Sequence, residues 1–120
     1  MKKFDKAAAR KELLWAGYED WAGLWEAVWW VQTEYPEVSG DRARDAARNV
    51  LLELLDEGLI YVCLLDEDTS SETPLPLEEA RQVLARDESW NAPSSVKGQL
   101  RYVTTEEGAQ PFFNRAEASS

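Results

Sequence analysis

Histidine is absent from this 120-residue chain, and cysteine occurs once, at Cys63. Without histidine there is no Ser-His-Asp or Cys-His arrangement, no imidazole to move protons near neutral pH, and almost no transition-metal site. A single cysteine forms no disulfide within the chain and no zinc site, so a reducing cytoplasm is the expected setting. Cys63 lies inside the apolar run Leu59–Leu65 with no basic cluster beside it in sequence, and is expected to be a small buried hydrophobe rather than a reactive thiol. The six glycines stand singly, at positions 17, 23, 40, 58, 98 and 108, and build no phosphate-binding loop. The start, Met1-Lys-Lys-Phe-Asp-Lys6, has charge but no apolar stretch behind it, and no run approaches the roughly 18 apolar residues that span a bilayer. A cytoplasmic protein without membrane contact is expected. Carboxylate chemistry is the one acid–base route left, and nothing in the sequence sets two acids on facing rigid elements. The expectation is a chain that is not an enzyme and takes no cofactor or metal.

Bases are scarce as well. Asp and Glu number 23 against 13 Lys and Arg, for a formal net charge of −10. The shortage is local: residues 61–80 hold six acids (Asp66, Glu67, Asp68, Glu72, Glu78 and Glu79) and no base, and residues 21–40 hold three acids and no base. Such a surface repels phosphates and favours basic partners. The plain alternative is that the acids keep a chain with six tryptophans in solution.

What is present is enough for one core. The apolar fraction is 44%, and 120 residues fit a single domain, 1–120. A first helix is expected over residues 5–16, capped by Asp5 and stopped by Gly17. A second runs from an Asp20 cap to about Tyr35 before Pro36. On that helix Trp21, Leu24, Trp25, Val28, Val31 and Tyr35 share a face, with Trp29 at its margin and Trp30 on the opposite side beside Glu26 and Glu34. A third helix is expected from Asp41 to Glu57, with Gly58 as its stop and Ala43, Ala46, Ala47, Val50, Leu51, Leu54 and Leu55 inward. Leu59–Leu65 reads as a strand buried on both faces, and Asp66–Thr73 as a polar loop. The Asp-x-Asp start of that loop fails as a calcium site, because its sixth position is Ser71 and its twelfth Leu77. Leu77–Arg86 reads as a fourth helix with Leu77, Ala80, Val83 and Leu84 inward. Residues 87–95 read as a loop anchored by Trp90, and Gly98–Thr104 as a second strand. Thr105 is expected to cap a turn ending at Gly108, ahead of the apolar Pro111-Phe-Phe113 and a frayed tail at 116–120.

The stretch Asn49-Val-Leu-Leu-Glu-Leu-Leu-Asp-Glu-Gly58, the strand after it, and Tyr102-Val-Thr-Thr-Glu-Glu-Gly108 together resemble the second half of a winged-helix domain. The resemblance implies an α+β fold in which three N-terminal helices precede a two-stranded antiparallel wing. Asp41–Glu57 would be the recognition helix, Leu59–Leu65 and Gly98–Thr104 the wing strands, and 66–97 an insertion carrying a helix. Winged helices that the pattern implies either bind DNA or serve as protein-interaction modules.

The residues favour the second use. A helix entering a major groove needs Arg, Lys, Asn or Gln at base edges and bases near phosphates. Here Arg42, Arg48 and Asn49 face Asp41, Asp45, Glu53 and Asp56, and the wing carries Asp66, Glu67, Asp68 and Glu72. The expected function is a non-enzymatic binding module for a basic protein partner, such as an immunity or antitoxin-type inhibitor or a regulatory adaptor. A DNA-mimicking inhibitor is a variant, and a winged-helix transcriptional regulator is the alternative. The latter would need a positive patch from Lys2, Lys3, Lys6, Arg10, Lys11 and the arginines at 42, 44 and 48. The candidate contact residues are Asp66, Glu67, Asp68 and Glu72, with Leu52, Trp30 and Trp90 as the candidate apolar anchors, although core or rim packing is the favoured reading of each of those three.

Overall fold

The computed structural model describes residues 3–95, 98–110 and 112. Helix α1, Lys6–Glu19, opens on Asp5, whose carboxylate accepts from the Ala8 N–H at 3.1 Å. Gly17 does not stop it. The glycine is buried inside the helix, where a Cβ would fall 2.8 Å from both Thr104 Oγ1 and the Tyr102 ring. It marks a close approach to a strand rather than a helix end. Two hydrogen bonds seat α1 there: Tyr102 Oη donates to the Leu13 carbonyl at 2.8 Å, and Thr104 Oγ1 to that of Leu14 at 2.7 Å.

The expected single helix from Asp20 is interrupted at its start. Ala22–Gly23 forms a short strand, β1, pairing antiparallel with the last strand, and α2 spans only Leu24–Glu34. Without β1 that strand would present an open edge of unpaired backbone groups. The inner face of α2 is Leu24, Ala27 and Val31, while Trp25 and Val28 are half-buried and Trp29 is 59% exposed. Trp30, expected on the outer side, packs against the core, its ring edge-on to Tyr35 at 6.3 Å. A small residue, Ala27, sits at the centre of the inner face where α2 packs on α3, so the bulky indoles are displaced to the flanks.

Helix α3, Gly40–Asp56, starts one residue earlier than expected, with the Ser39 hydroxyl accepting from Arg42 N–H. Ala43, Ala47, Val50, Leu51, Leu54 and Leu55 are buried. Its end is a Schellman motif: Gly58 has φ 76°, its N–H reaches the Leu55 carbonyl at 3.1 Å, and Leu59 N–H reaches that of Leu54 at 2.9 Å.

Strand β2, Ile60–Asp66, pairs antiparallel with both β3, Ser71–Pro74, and β4, Gln99–Thr104, so that Tyr61 faces Val103 and Cys63 faces Arg101. The sheet is four-stranded in the order β1-β4-β2-β3, where two strands were expected. The segment read as a polar loop is a hairpin: the Asp66 carboxylate accepts from Asp68 N–H at 3.0 Å, and Ser70 turns the chain at φ 55°. Pro76 then leads into α4, Leu77–Ala85, which buries Ala80, Val83 and Leu84 but leaves Leu77 49% exposed at its first position. A 3-10 turn, Asp87–Trp90, follows.

Thr105 caps the last helical turn, its hydroxyl accepting from Gly108 N–H at 3.2 Å. The helix runs through residues 106–110 without stopping at Gly108, which is buried where a Cβ would collide with the Leu59 carbonyl oxygen. Phe112 meets Trp15 edge-on at 4.9 Å. Pro111, Phe113 and the tail expected at 116–120 lie outside the described residues. The architecture is α+β, with α1, α2 and α3 and the inner face of the sheet enclosing one core.

Candidate interaction surface

The hairpin that carries the acids is held by two of them. Glu72, on β3, is half-buried and accepts from Trp21 Nε1–H and from Tyr61 Oη at 2.6 Å. Beside it Cys63 is fully buried, and burial, with Glu72 adding to the effect, pushes its thiol up to about 12. Burial and the same carboxylate raise the Tyr61 phenol. The thiol is therefore neutral and inaccessible, as expected of a packing residue.

Glu67 is committed in the same way. The Arg101 guanidinium, on β4, donates to Glu67 Oε1 at 2.8 Å, to Gln99 Oε1 at 2.6 Å and to the Trp21 carbonyl at 2.9 Å, and lies 3.4 Å from Glu26 Oε1. Its carbon stacks on the Trp25 ring at 4.6 Å from the centroid. One cation thus joins the hairpin tip, β1 and α2. Asp66, Asp68, Glu78 and Glu79 have no cationic partner among the described residues. Of the six acids, Glu67 and Glu72 tie the hairpin to the rest of the fold, Asp66 closes the hairpin's own turn without a cation, and Asp68, Glu78 and Glu79 have neither role.

The arginines of α3 are largely consumed. Arg48 donates to Asp87 at 2.6 Å, to Asp45 at 3.1 Å and to the Leu84 carbonyl at 2.8 Å, and Arg44 lies 3.7 Å from Asp87 and 3.6 Å from Asp41. The Arg48 hydrogen bond and the Arg44 charge hold the Asp87 carboxyl below its ordinary value. Arg42 is exposed, and shares an open cleft of about 650 Å³ with Glu34, Tyr35 and Glu37. At the other end, Lys6 meets Glu53 at 2.6 Å and Arg10 grips Glu57 at 2.7 and 2.9 Å, a hydrogen bond that lowers the Glu57 pKa and raises that of Arg10. Arg44, Arg48, Lys6 and Arg10 are thus interleaved with carboxylates.

The expected apolar anchors lie inward. Trp90 is 4% exposed, its indole N–H on the Leu84 carbonyl at 3.0 Å, so it is core and not a contact residue. Leu52 and Trp30 are half-buried and packed against the core. The exposed aromatic of α2 is Trp29, expected at the margin of its apolar face. It sits on α2 opposite Leu24, Ala27 and Val31, which a helical projection centred on Ala27 instead of the aromatics would have shown. Among the described residues no group of His, Cys, Asp and Glu side chains is arranged to hold a metal ion, and no helix is long and apolar enough to cross a membrane. No protein-family model, curated protein or solved structure matches the chain.

Proposed function

We propose that this chain is a non-enzymatic protein-binding module that meets a basic protein partner through its acidic hairpin, in the manner of an immunity or antitoxin-type inhibitor or a regulatory adaptor. The observation that carries this reading is the division of charge. Arg44 and Arg48 on α3 are neutralised within the chain, whereas Asp66, Asp68, Glu78 and Glu79 have no cation against them among the described residues. The element order supports a winged-helix-like arrangement in which α3 takes the recognition position, β2 and β4 are the wing strands, and 66–97 enlarges the wing. With Arg44 and Arg48 occupied, Arg42 is the one arginine α3 has left to offer base edges or phosphates.

Two titrations test the choice: one against labelled duplex DNA, and one against the partner captured from the native host. The expected result is no saturable duplex binding. Partner binding should weaken with salt and fall when Asp66 and Asp68 are changed together to Asn. Saturable, salt-sensitive duplex binding that ignores the change would promote the DNA-binding regulator instead.

A further inference from the structure

Trp29 is the most exposed large hydrophobic side chain among the described residues, at 59%, on a chain that buries or half-buries four of its other tryptophans. Its surroundings are acidic. Glu26 lies one helical turn before it on the same side of α2, and residues 21–40 contain no base. Arg101 holds Glu26 and Glu67 on one guanidinium, so the outer face of α2 is continuous with the hairpin tip. Glu26 and Glu67 are still 45% and 44% exposed there. The same stretch already shows how it treats a cation: Arg101 lies over the Trp25 ring while its nitrogens reach the two carboxylates. One turn further along, Trp29 presents a second indole beside Glu26, with no ring or cation of the described residues stacked on it.

We infer that Trp29 and Glu26 form the docking site for an arginine side chain of the basic partner, stacked on the Trp29 indole with its charge against Glu26. The inference rests on the proposed acidic binding module and names the anchor that module uses. Charge steers such an encounter, and a desolvated aromatic contact slows its dissociation. Arginine suits the site better than lysine because its planar guanidinium can stack and donate at once.

The test is a titration of the full chain, ¹⁵N-labelled, with an alternating Arg-Gly peptide at low salt, followed through the tryptophan indole N–H resonances, with a Lys-Gly peptide as comparison. The Trp29 resonance, assigned from Trp29→Phe, should shift saturably. Trp29→Ala should weaken Arg-Gly binding about five-fold, and the Lys-Gly peptide should bind less tightly. Because Trp29 is exposed, the variant should fold normally. If Trp29→Ala binds as tightly as the parent while Asp66→Asn with Asp68→Asn binds weakly, the Trp29 site is wrong and the acidic hairpin reading stands. If the Arg-Gly peptide does not bind at all, both are wrong.

Discussion

Alanine is worth about 1 kcal/mol over glycine at an ordinary position inside a helix. At Gly17 the sign should reverse. A Cβ there falls 2.8 Å from Thr104 Oγ1 and 2.8 Å from Tyr102 Cε2, where ordinary contact begins at 3.4 Å. Neither neighbour can yield cheaply. Tyr102 is fully buried, and both side chains hydrogen-bond to carbonyls of α1 itself, at Leu13 and Leu14. Moving α1 outward to admit the methyl group would stretch the bonds that seat it. Overpacking costs about 1–3 kcal/mol and a weakened hydrogen bond about 0.5–1.5 kcal/mol, so after the propensity gain Gly17→Ala should lose about 0.5–3.5 kcal/mol. Urea unfolding followed by tryptophan fluorescence would read this as a midpoint lowered by about 1 M at an unchanged slope. The control is Ala16→Gly, an exposed position in the same helix, which should cost up to about 1 kcal/mol through propensity alone. If Gly17→Ala is neutral or stabilising while Ala16→Gly behaves normally, α1 does not approach β4 as closely as described.

Leu54→Ala should cost about 2–5 kcal/mol, since Leu54 is fully buried on α3, whereas Trp25→Ala, half-buried against Arg101, should cost only about 1–2 kcal/mol; equal losses by denaturant unfolding would contradict the orientation of α2. Glu72→Ala should cost about 1–3 kcal/mol by stranding the Trp21 and Tyr61 donors, and Tyr61→Phe should then cost less in that background than in the parent; strict additivity in the double-mutant cycle would mean the Tyr61 bond contributes nothing. Cys63 should resist iodoacetamide in the folded chain at pH 8, and stoichiometric labelling there would show that β2 is not packed as described. Its folded value of about 12 lies above the ordinary 9.0, so between those pH values the unfolded chain has lost a proton that the folded chain keeps. Stability should therefore fall as pH rises through that window, and fall less steeply in Cys63→Ala.

The elements legible in sequence were those with local signals. The Asp5 cap, the Gly58 stop and the apolar faces of α3 and α4 rest on interactions a few residues long, and the structure keeps them, apart from Leu77 at the α4 start. What sequence concealed depends on distant partners. Gly17 and Gly108 looked like stops because helices commonly end on glycine, yet each makes room for a chain segment far away: the side chains of Tyr102 and Thr104 for one, the Leu59 carbonyl for the other. Strands β1 and β3 are too short for a periodic pattern to show, and exist because β4 and β2 have edges to satisfy.

The charges were misread for the same reason. A window over residues 61–80 counts six acids and no base, which looks like one undivided acidic surface. Arg101 lies 34 residues from Glu67 and 75 from Glu26, and Trp21 lies 51 from Glu72, so no local window could have shown that two of the acids are structural. The arginines of α3 carry the opposite lesson. Arg48 has a local partner in Asp45, but its shortest contact is to Asp87, 39 residues on. Fewer acids are thus free than composition implies, and fewer bases. Because both signs shrink, the net charge of the exposed surface cannot decide between a protein partner and DNA. The decision falls to position: Asp66, Asp68, Glu78 and Glu79 lie at the hairpin and the α4 start, and Trp29, the most exposed aromatic among the described residues, lies on the helix that Arg101 ties to that hairpin.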